Sequence, residues 1–150
     1  MSDLEIRPAA VSDLAEIVAM LADDPLGAGR ESPDDLTPYL AAFQRLADDP
    51  HQHVMVAVRA GRVVGTLQLT VIPGLSRRGS TRSVIEGVRV HGDERGSGLG
   101  TQLIQWAVDE SRRQECQLVQ LTSDATRADA HRFYERLGFV ASHVGFKLTL

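Results

Sequence analysis

The sequence predicts an α/β domain, a mixed β-sheet with helices on both faces. Three observations carry that expectation. Short β-branched runs and amphipathic helical patterns follow one another in the order β-α-α-β-β-β-α-β-α-β. A hairpin signal lies mid-chain, and strand, helix, strand and helix succeed it, as a sheet covered on both sides requires. A glycine-rich segment joins the last β-branched run before that succession to a strongly amphipathic helix.

The elements are read in chain order. Leu4 to Arg7 is a short strand ended by Pro8. Ser12 is expected to cap a helix in which Leu14, Ile17, Val18 and Leu21 fall at i, i+3, i+4 and i+7. Asp23 to Gly29 breaks it. A second helix begins at Ser32-Pro33 or at Thr37-Pro38, both cap-plus-proline pairs, and ends at Asp48-Asp49-Pro50. Val54 to Arg59 and Val63 to Ile72 form a hairpin about Ala60-Gly61-Arg62, and Pro73 to Thr81 is a loop. After the glycine segment, Leu99, Leu103, Ile104, Ala107 and Val108 make one apolar helix face, with Trp106 near its edge. Leu118 to Leu121 is a strand, Thr122 to Arg127 a polar loop, and Ala128 to Leu137 a helix stopped by Gly138. Phe139 to Leu150 is expected to close the fold as one or two strands.

Composition narrows the class. The 150 residues suit one domain, 1–150, with ordinary hydrophobic (43%) and charged (24%) content. A net charge of −4 disfavours nucleic-acid binding, and no apolar run approaches a membrane span. The N-terminal residues lack a signal pattern, so a cytoplasmic location is expected. The lone Cys116 excludes an internal disulfide. It lies between a polar helix end and an apolar strand, which favours a buried thiol over a nucleophile.

The stretch that organises the chain runs from Ser83 to Thr101, SVIEGVRVHGDERGSGLGT. Val84, Ile85, Val88 and Val90 make a strand that holds one acid, Glu86. Gly87 marks a bulge or a close backbone approach. Arg95-Gly96-Ser97-Gly98-Leu99-Gly100 then opens a helix whose first N–H groups are free to meet a phosphate. A P-loop is excluded because no Lys follows the glycines. A dinucleotide fingerprint fits poorly: the spacing is GxGxG, it falls in the second half of the chain, and only one strand–helix unit follows.

Arg95, Gly98 and Gly100 do match the R/Q-x-x-G-x-G/A loop of the GCN5-related N-acetyltransferases, and the chain resembles that family. A second segment agrees: Ala130, Phe133-Tyr134-Glu135 and Leu137-Gly138-Phe139 follow the family's A-x-x-FYEKLGF ending. The resemblance covers about residues 83 to 140, and the first eighty residues agree only in their order of elements. It implies acetyl-CoA as cosubstrate, a small-molecule amine as acceptor and a homodimer. It also implies cofactor contacts from the backbone of Val88, Arg89 and Val90, from Arg95, Gly96, Ser97, Gly98, Leu99, Gly100 and Thr101, and from Phe133. Many members carry Asn where this chain has Arg127, which leaves Arg127 to meet a phosphate or the substrate. The RxDAHRFY form with Ser142-His143 is also similar to aminoalkylphosphonate N-acetyltransferases, so an acidic small amine is the alternative acceptor. A non-catalytic acyl-CoA-binding regulatory domain is the alternative from another class.

Acetyl transfer to an amine needs a base for the ammonium proton, a donor for the carbonyl oxygen and a proton for the departing thiolate. The resemblance implies Glu86 as the base, often acting through water, and Tyr134 as the acid. Partial burial of Glu86 would strengthen it as a base. A phenol, which titrates near ~10, holds its proton at neutral pH and can lend it. A backbone N–H of the Gly87–Val90 stretch is the natural oxyanion donor. No metal site is expected: His51 and His53 have ligand-like spacing but no further partners, and are read as exposed. His91 and His131 flank the motifs. Arg77, Arg78 and Arg82 cluster in an acidic protein and are read as solvated. The acids Asp23, Asp24, Glu31, Asp34 and Asp35 would favour a cationic amine if they lined its pocket.

Overall fold

The computed structural model describes residues 3–150. Among them, five strands form one sheet in sequence order: β1 (Leu4–Pro8), β2 (Gln52–Arg59), β3 (Arg62–Pro73), β4 (Thr81–Val90) and β5 (Leu118–Leu121). The first four pair antiparallel. The helices are α1 (Leu14–Ala22), α2 (Thr37–Ala47), α3 (Leu99–Arg113) and α4 (Ala128–Arg136). Packing divides the chain into two compact units, residues 1–120 and Leu121–Leu150.

In the first unit the sheet is covered on both faces, as the alternation of its strands requires. Ile17 and Met20 of α1 bury against Val56 and Val63, with Val54 and Val58 beside them. On the other face Leu99, Leu103, Ile104 and Ala107 of α3 are buried. A Cβ added to Gly65 would stand 3.0 Å from Leu103, so the missing side chain lets α3 approach β3. Ser111, not expected in this face, is buried where Val108 is only half-buried. Its hydroxyl donates to the Ala107 carbonyl (2.7 Å) and lies 2.7 Å from Ser83 Oγ on β4, so neither buried hydroxyl lacks a partner.

Local chemistry explains the element ends. Ala60 and Gly61 both have positive φ (52° and 76°), the two-residue hairpin turn whose twist matches its strands. The second helix starts at Thr37-Pro38 rather than Ser32-Pro33; Ser32 instead bonds the Asp35 carbonyl through its hydroxyl. Ser12 does not cap the first helix. A 3₁₀ turn over Val11–Asp13 precedes it, and Asp13 accepts the Ala10 N–H at 2.7 Å. Arg77 and Arg78 in the β3–β4 connection are both left-handed (φ 55° and 62°), making a tight left-handed turn where a plain loop was expected.

Within the second unit, Gly138 (φ 97°) ends α4, and the Phe139 N–H reaches back to the Tyr134 carbonyl at 3.1 Å. The expected closing strands are not formed: residues 139–150 carry no helix or strand. A strand exists only as part of a ladder, and no ladder includes this segment among the described residues.

Asp13 is a heavily bonded carboxylate of the first unit. It accepts from both Arg7 guanidinium nitrogens (2.8 and 3.2 Å) and joins β1 to the entry of α1. The Arg7 hydrogen bonds hold its carboxyl below the usual carboxylate range. The unfolded chain therefore binds the proton first as pH falls. Stability from this group is complete above about pH 4, the ordinary Asp range, and is lost as pH drops through the lower folded value. Asp13→Asn should lower the melting midpoint at neutral pH by about 2–4 °C and flatten the acid limb of a stability-against-pH curve. Parallel curves for the two proteins would show that the pair does not carry this dependence.

Candidate active site

The β3–β4 ladder supplies the site's geometry. Thr66 faces Arg89 and Gln68 faces Glu86, so four residues of β4 oppose three of β3. The surplus residue is accommodated at Gly87, whose φ of +62° is left-handed, a bulge as the sequence indicated. A Cβ at Gly87 would sit 3.9 Å from Leu21, so conformation, not space, calls for glycine there.

Glu86 lies beside this bulge and is exposed, not partly buried. Its cross-strand neighbour Gln68 belongs to a polar row that the sequence did not flag. Gln68 Nε2 and Thr70 Oγ1 both donate to Gln52 Oε1, at 2.9 and 2.8 Å. The only sequence signal for this row is Gln68 and Thr70 alternating with buried Leu67, Leu69 and Val71.

The acids after α1 are engaged by the strand and the loop. Asp24 Oδ2 lies 3.1 Å from Arg89 Nε, an ion pair not aligned as a hydrogen bond, and its Oδ1 accepts the Gly27 N–H. Asp23 pairs with Arg95 at 3.7 Å. Glu31 accepts from the Tyr39 hydroxyl, and Asp35 from the Thr37 N–H. Four of the five acids thus bond to the protein's own groups, in keeping with local contacts and caps for most of this run.

The Gln117 N–H donates to the Thr81 carbonyl at 2.8 Å, so β5 starts level with the start of β4. β5 is the shorter strand, four residues beside the ten of β4. Val88, Arg89 and Val90 are half-buried at the end of β4, and the Arg89 side chain is committed to Asp24.

The glycine loop follows immediately. Gly92–Glu94 forms a 3₁₀ turn anchored by Arg59 Nε to Glu94 Oε1 at 2.8 Å. Gly96 and Gly98 have φ of 83° and 86°, and a Cβ at either would meet nothing within 4 Å. The first bond inside α3 runs from the Gln102 N–H to the Gly98 carbonyl, and no side chain caps the helix. The N–H groups of Leu99, Gly100 and Thr101 thus have no hydrogen-bond partner among the described residues. Together with the helix dipole they form an open cradle for an anion, which fits a diphosphate. Arg95 and Ser97 are exposed at its rim. The Arg95–Asp23 pair is loose and solvated, so little opposes its exchange for a phosphate.

The second unit holds Arg127, Phe133 and Tyr134. Arg127 is exposed at the N-terminus of α4 and helps line a cavity of about 350 Å³ with Thr126, Ala128, Asp129 and Ala130. Phe133 and Tyr134 stack edge-on at 5.2 Å, and Tyr134 and Phe139 at 5.9 Å, which orients the half-buried phenol within its own unit.

The remaining candidates have local duties. His91 Nδ1 accepts the Asp93 N–H at 3.1 Å, and His131 Nε2 donates to the Asp124 carbonyl at 2.8 Å. His51 is exposed, while His53 is half-buried. Burial raises the Cys116 thiol above its ordinary pKa, which disfavours the thiolate. The larger cavity, about 440 Å³, is lined by residues including Arg77, Arg78, Thr81 and Glu115. It lies at the start of β4, whereas the glycine loop follows its end, so volume alone does not mark the chemistry.

Residues 14–139 match the family model described as the acetyltransferase (GNAT) family. The chain is 37% identical over 102 residues to an aminoalkylphosphonate N-acetyltransferase of Salmonella typhimurium, a match taking in 68% of this chain and 66% of that protein. It is 33% identical over 151 residues to a glucosamine 6-phosphate N-acetyltransferase of Trypanosoma brucei brucei, covering 99% and 97%. Its structure is similar to that of a transcriptional regulator from Bacillus halodurans C-125, with a TM-score of 0.95 and 44% identity over 99% of this chain and 100% of that one. The glycine loop after a bulged fourth strand, the mixed five-stranded sheet and a family match across most of the sequence agree: the chain belongs to the acetyltransferase (GNAT) family, as an N-acetyltransferase.

Proposed function

We propose that this chain, acting as one domain, moves an acetyl group from acetyl-CoA to the primary amine of a small molecule by direct attack in a ternary complex. The reading rests on one observation above others: three unpartnered N–H groups at Leu99, Gly100 and Thr101, opening from glycines with free space around them. Acetyl-CoA, when bound, supplies an activated thioester carbonyl and a thiolate leaving group. The Leu99–Thr101 amides and Arg95 hold its diphosphate, with Gly96, Ser97 and Gly98 shaping the approach. The backbone of Val88 to Val90 takes up its amide-bearing arm as a further strand would be taken up. Arg127 and Phe133 complete the contacts.

Glu86, being exposed, accepts the ammonium proton through water, leaving a lone pair on the amine nitrogen. A backbone N–H beside the Gly87 bulge donates to the carbonyl oxygen as it gains charge. The Tyr134 hydroxyl gives a proton to the departing sulfur. The acceptor is a small amine that also carries an acidic group. The names of two relatives support this, since one acts on aminoalkylphosphonates and the other on a sugar amine bearing a phosphate.

Calorimetric titration with acetyl-CoA, with CoA and NAD as comparators, tests the class. Micromolar acetyl-CoA binding without NAD binding is expected, followed by thiol release in the presence of aminoalkylphosphonates or amino sugar phosphates. Binding without thiol release across a broad amine panel would favour the non-catalytic regulatory reading. Loss of both CoA signals would remove the glycine-loop assignment.

Glu86→Gln should slow acetylation at pH 7 by about 100-fold, and by progressively less towards the ~10.4 of a free alkylamine, where unprotonated acceptor is already abundant. An equal loss at every pH would count against a proton-accepting role. Tyr134→Phe should leave acetyl-CoA affinity almost unchanged while lowering kcat by about 10-fold or more; a weakened Kd with normal kcat would make the phenol a binding group instead.

A further inference from the structure

Between the bulge and the start of β4 the β3–β4 ladder is regular. Gln68 stands opposite Glu86, Thr70 opposite Val84 and Ile72 opposite Arg82. Opposite residues share a face, and so do alternate residues of one strand. These side chains therefore make three successive rungs on one face of the sheet. The intervening Leu69, Val71, Ser83 and Ile85 are buried on the other face, where Ser83 meets Ser111 of α3. Glu86 is exposed and the other five are half-buried, so the rungs form a floor open to a small molecule.

Each rung offers different chemistry. The first carries the Glu86 carboxylate. The second sets the apolar Val84 beside the Thr70 hydroxyl. Gln52 of β2 ties the first two together, since its Oε1 accepts from both Gln68 and Thr70. Gln52 Nε2 and Gln68 Oε1 have no hydrogen-bond partner among the described residues, which leaves donors and an acceptor for bound hydroxyls. The third rung carries Arg82, which is half-buried and has no ion pair or side-chain hydrogen bond among the described residues. A guanidinium partly stripped of water and lacking a counter-ion favours an anion. Its Nη1 leans towards the β3–β4 connection, 3.9 Å from where a Gly74 Cβ would stand, and the exposed Arg77 and Arg78 add positive charge to that connection.

We infer that these rungs seat the acceptor and that Arg82 binds its acidic group. The acceptor is then a ring-sized, hydroxyl-bearing amine with a phosphate at its far end. This deepens the proposed function and rests on the role given there to Glu86. Length supports it. Glu86 and Arg82 are four residues apart, about 13 Å between Cα atoms on an extended strand. The lean towards Gly74 adds up to about 6 Å, and hydrogen-bonded contacts through water at Glu86 and directly at Arg82 take up roughly 8 Å. About 11 Å remains with Arg82 as it lies, and about 5 Å if it swings back over Ile72. An extended two-carbon aminoalkylphosphonate spans only roughly 5 Å, and a phosphorylated amino sugar roughly 9 Å. The middle rung points the same way, because a sugar brings hydroxyls to Gln52 and Gln68 and a two-carbon chain brings none.

Thiol-release kinetics with acetyl-CoA, and calorimetry of acceptors on the CoA-bound full chain, test the assignment. Glucosamine 6-phosphate should exceed both glucosamine and 2-aminoethylphosphonate in kcat/KM by about 100-fold or more. Arg82→Gln should cut the preference for glucosamine 6-phosphate over glucosamine by about 100-fold, chiefly through KM, and Arg82→Lys should recover part of it. Gln52→Leu should raise KM for both sugars by about 10-fold and spare 2-aminoethylphosphonate. An unchanged preference in Arg82→Gln would overturn the proposal, as would 2-aminoethylphosphonate outperforming the sugar phosphate, or no binding of glucosamine 6-phosphate to the CoA-bound protein. Arg82-dependent binding without thiol release would uphold the seat and remove the transferase reading; turnover of amines without dependence on Arg82 would do the reverse. Acetyl-CoA affinity reports whether each variant is folded, and if none folds, the three acceptors on the unaltered chain decide alone.

Discussion

Four residues of β4 facing three of β3 is the constraint on which the rest of the site depends. A regular ladder would carry Glu86, Val88 and Val90 on one face in strict alternation. The surplus residue at Gly87 breaks that alternation, leaving Glu86 beside Gln68 and Gly87 beside Leu21 of α1. The residues beyond the bulge run directly into the glycine loop. Bulge, strand end and loop are thus consecutive parts of one continuous segment, packed between α1 and α3.

Electrostatics then decides which charges are available. Asp24 is held by Arg89 in a half-buried pair and Asp23 by Arg95 in an exposed one. The first pair fastens the end of α1 to β4. The second is of the solvated kind that contributes little to stability and exchanges readily. Arg95 is therefore positioned at the anion cradle without being committed elsewhere. Deeper in the same unit, Asp13 and Arg7 fasten β1 to α1, and the Ser83–Ser111 contact joins β4 to α3 through two buried hydroxyls. The Asp13–Arg7 and Ser83–Ser111 groups are satisfied, whereas the N–H groups at the head of α3 have no hydrogen-bond partner among the described residues, and that contrast distinguishes scaffold from candidate site.

The C-terminal unit follows a different logic. The aromatic trio Phe133, Tyr134 and Phe139 packs edge-on and is half-buried, while Val140, Val144, Phe146, Leu148 and Leu150 are exposed.

Much of this protein was determined by local sequence. Alternating β-branched residues, the Ala60-Gly61 turn, the Thr37-Pro38 start and the helix stop at Gly138 each follow from the conformational preferences of a few adjacent residues, and so does Gly87 as a bulge. The glycine loop was legible for the same reason, since Gly96 and Gly98 occupy backbone angles that few other residues tolerate. Tertiary structure alone decided what depends on distant partners. Asp13 rather than Ser12 secures the first helix because Arg7 stands opposite it. Ser111 is buried because Ser83 is there to meet it. Asp23 and Asp24 hold arginines seventy-two and sixty-five residues away. Glu86 is exposed beside the bulge at Gly87, opposite the polar Gln68, and not by its own strand pattern. The closing strands expected over Phe139 to Leu150 are not formed among the described residues for the same physical reason: propensity can favour an extended backbone, but only a paired ladder makes it a strand.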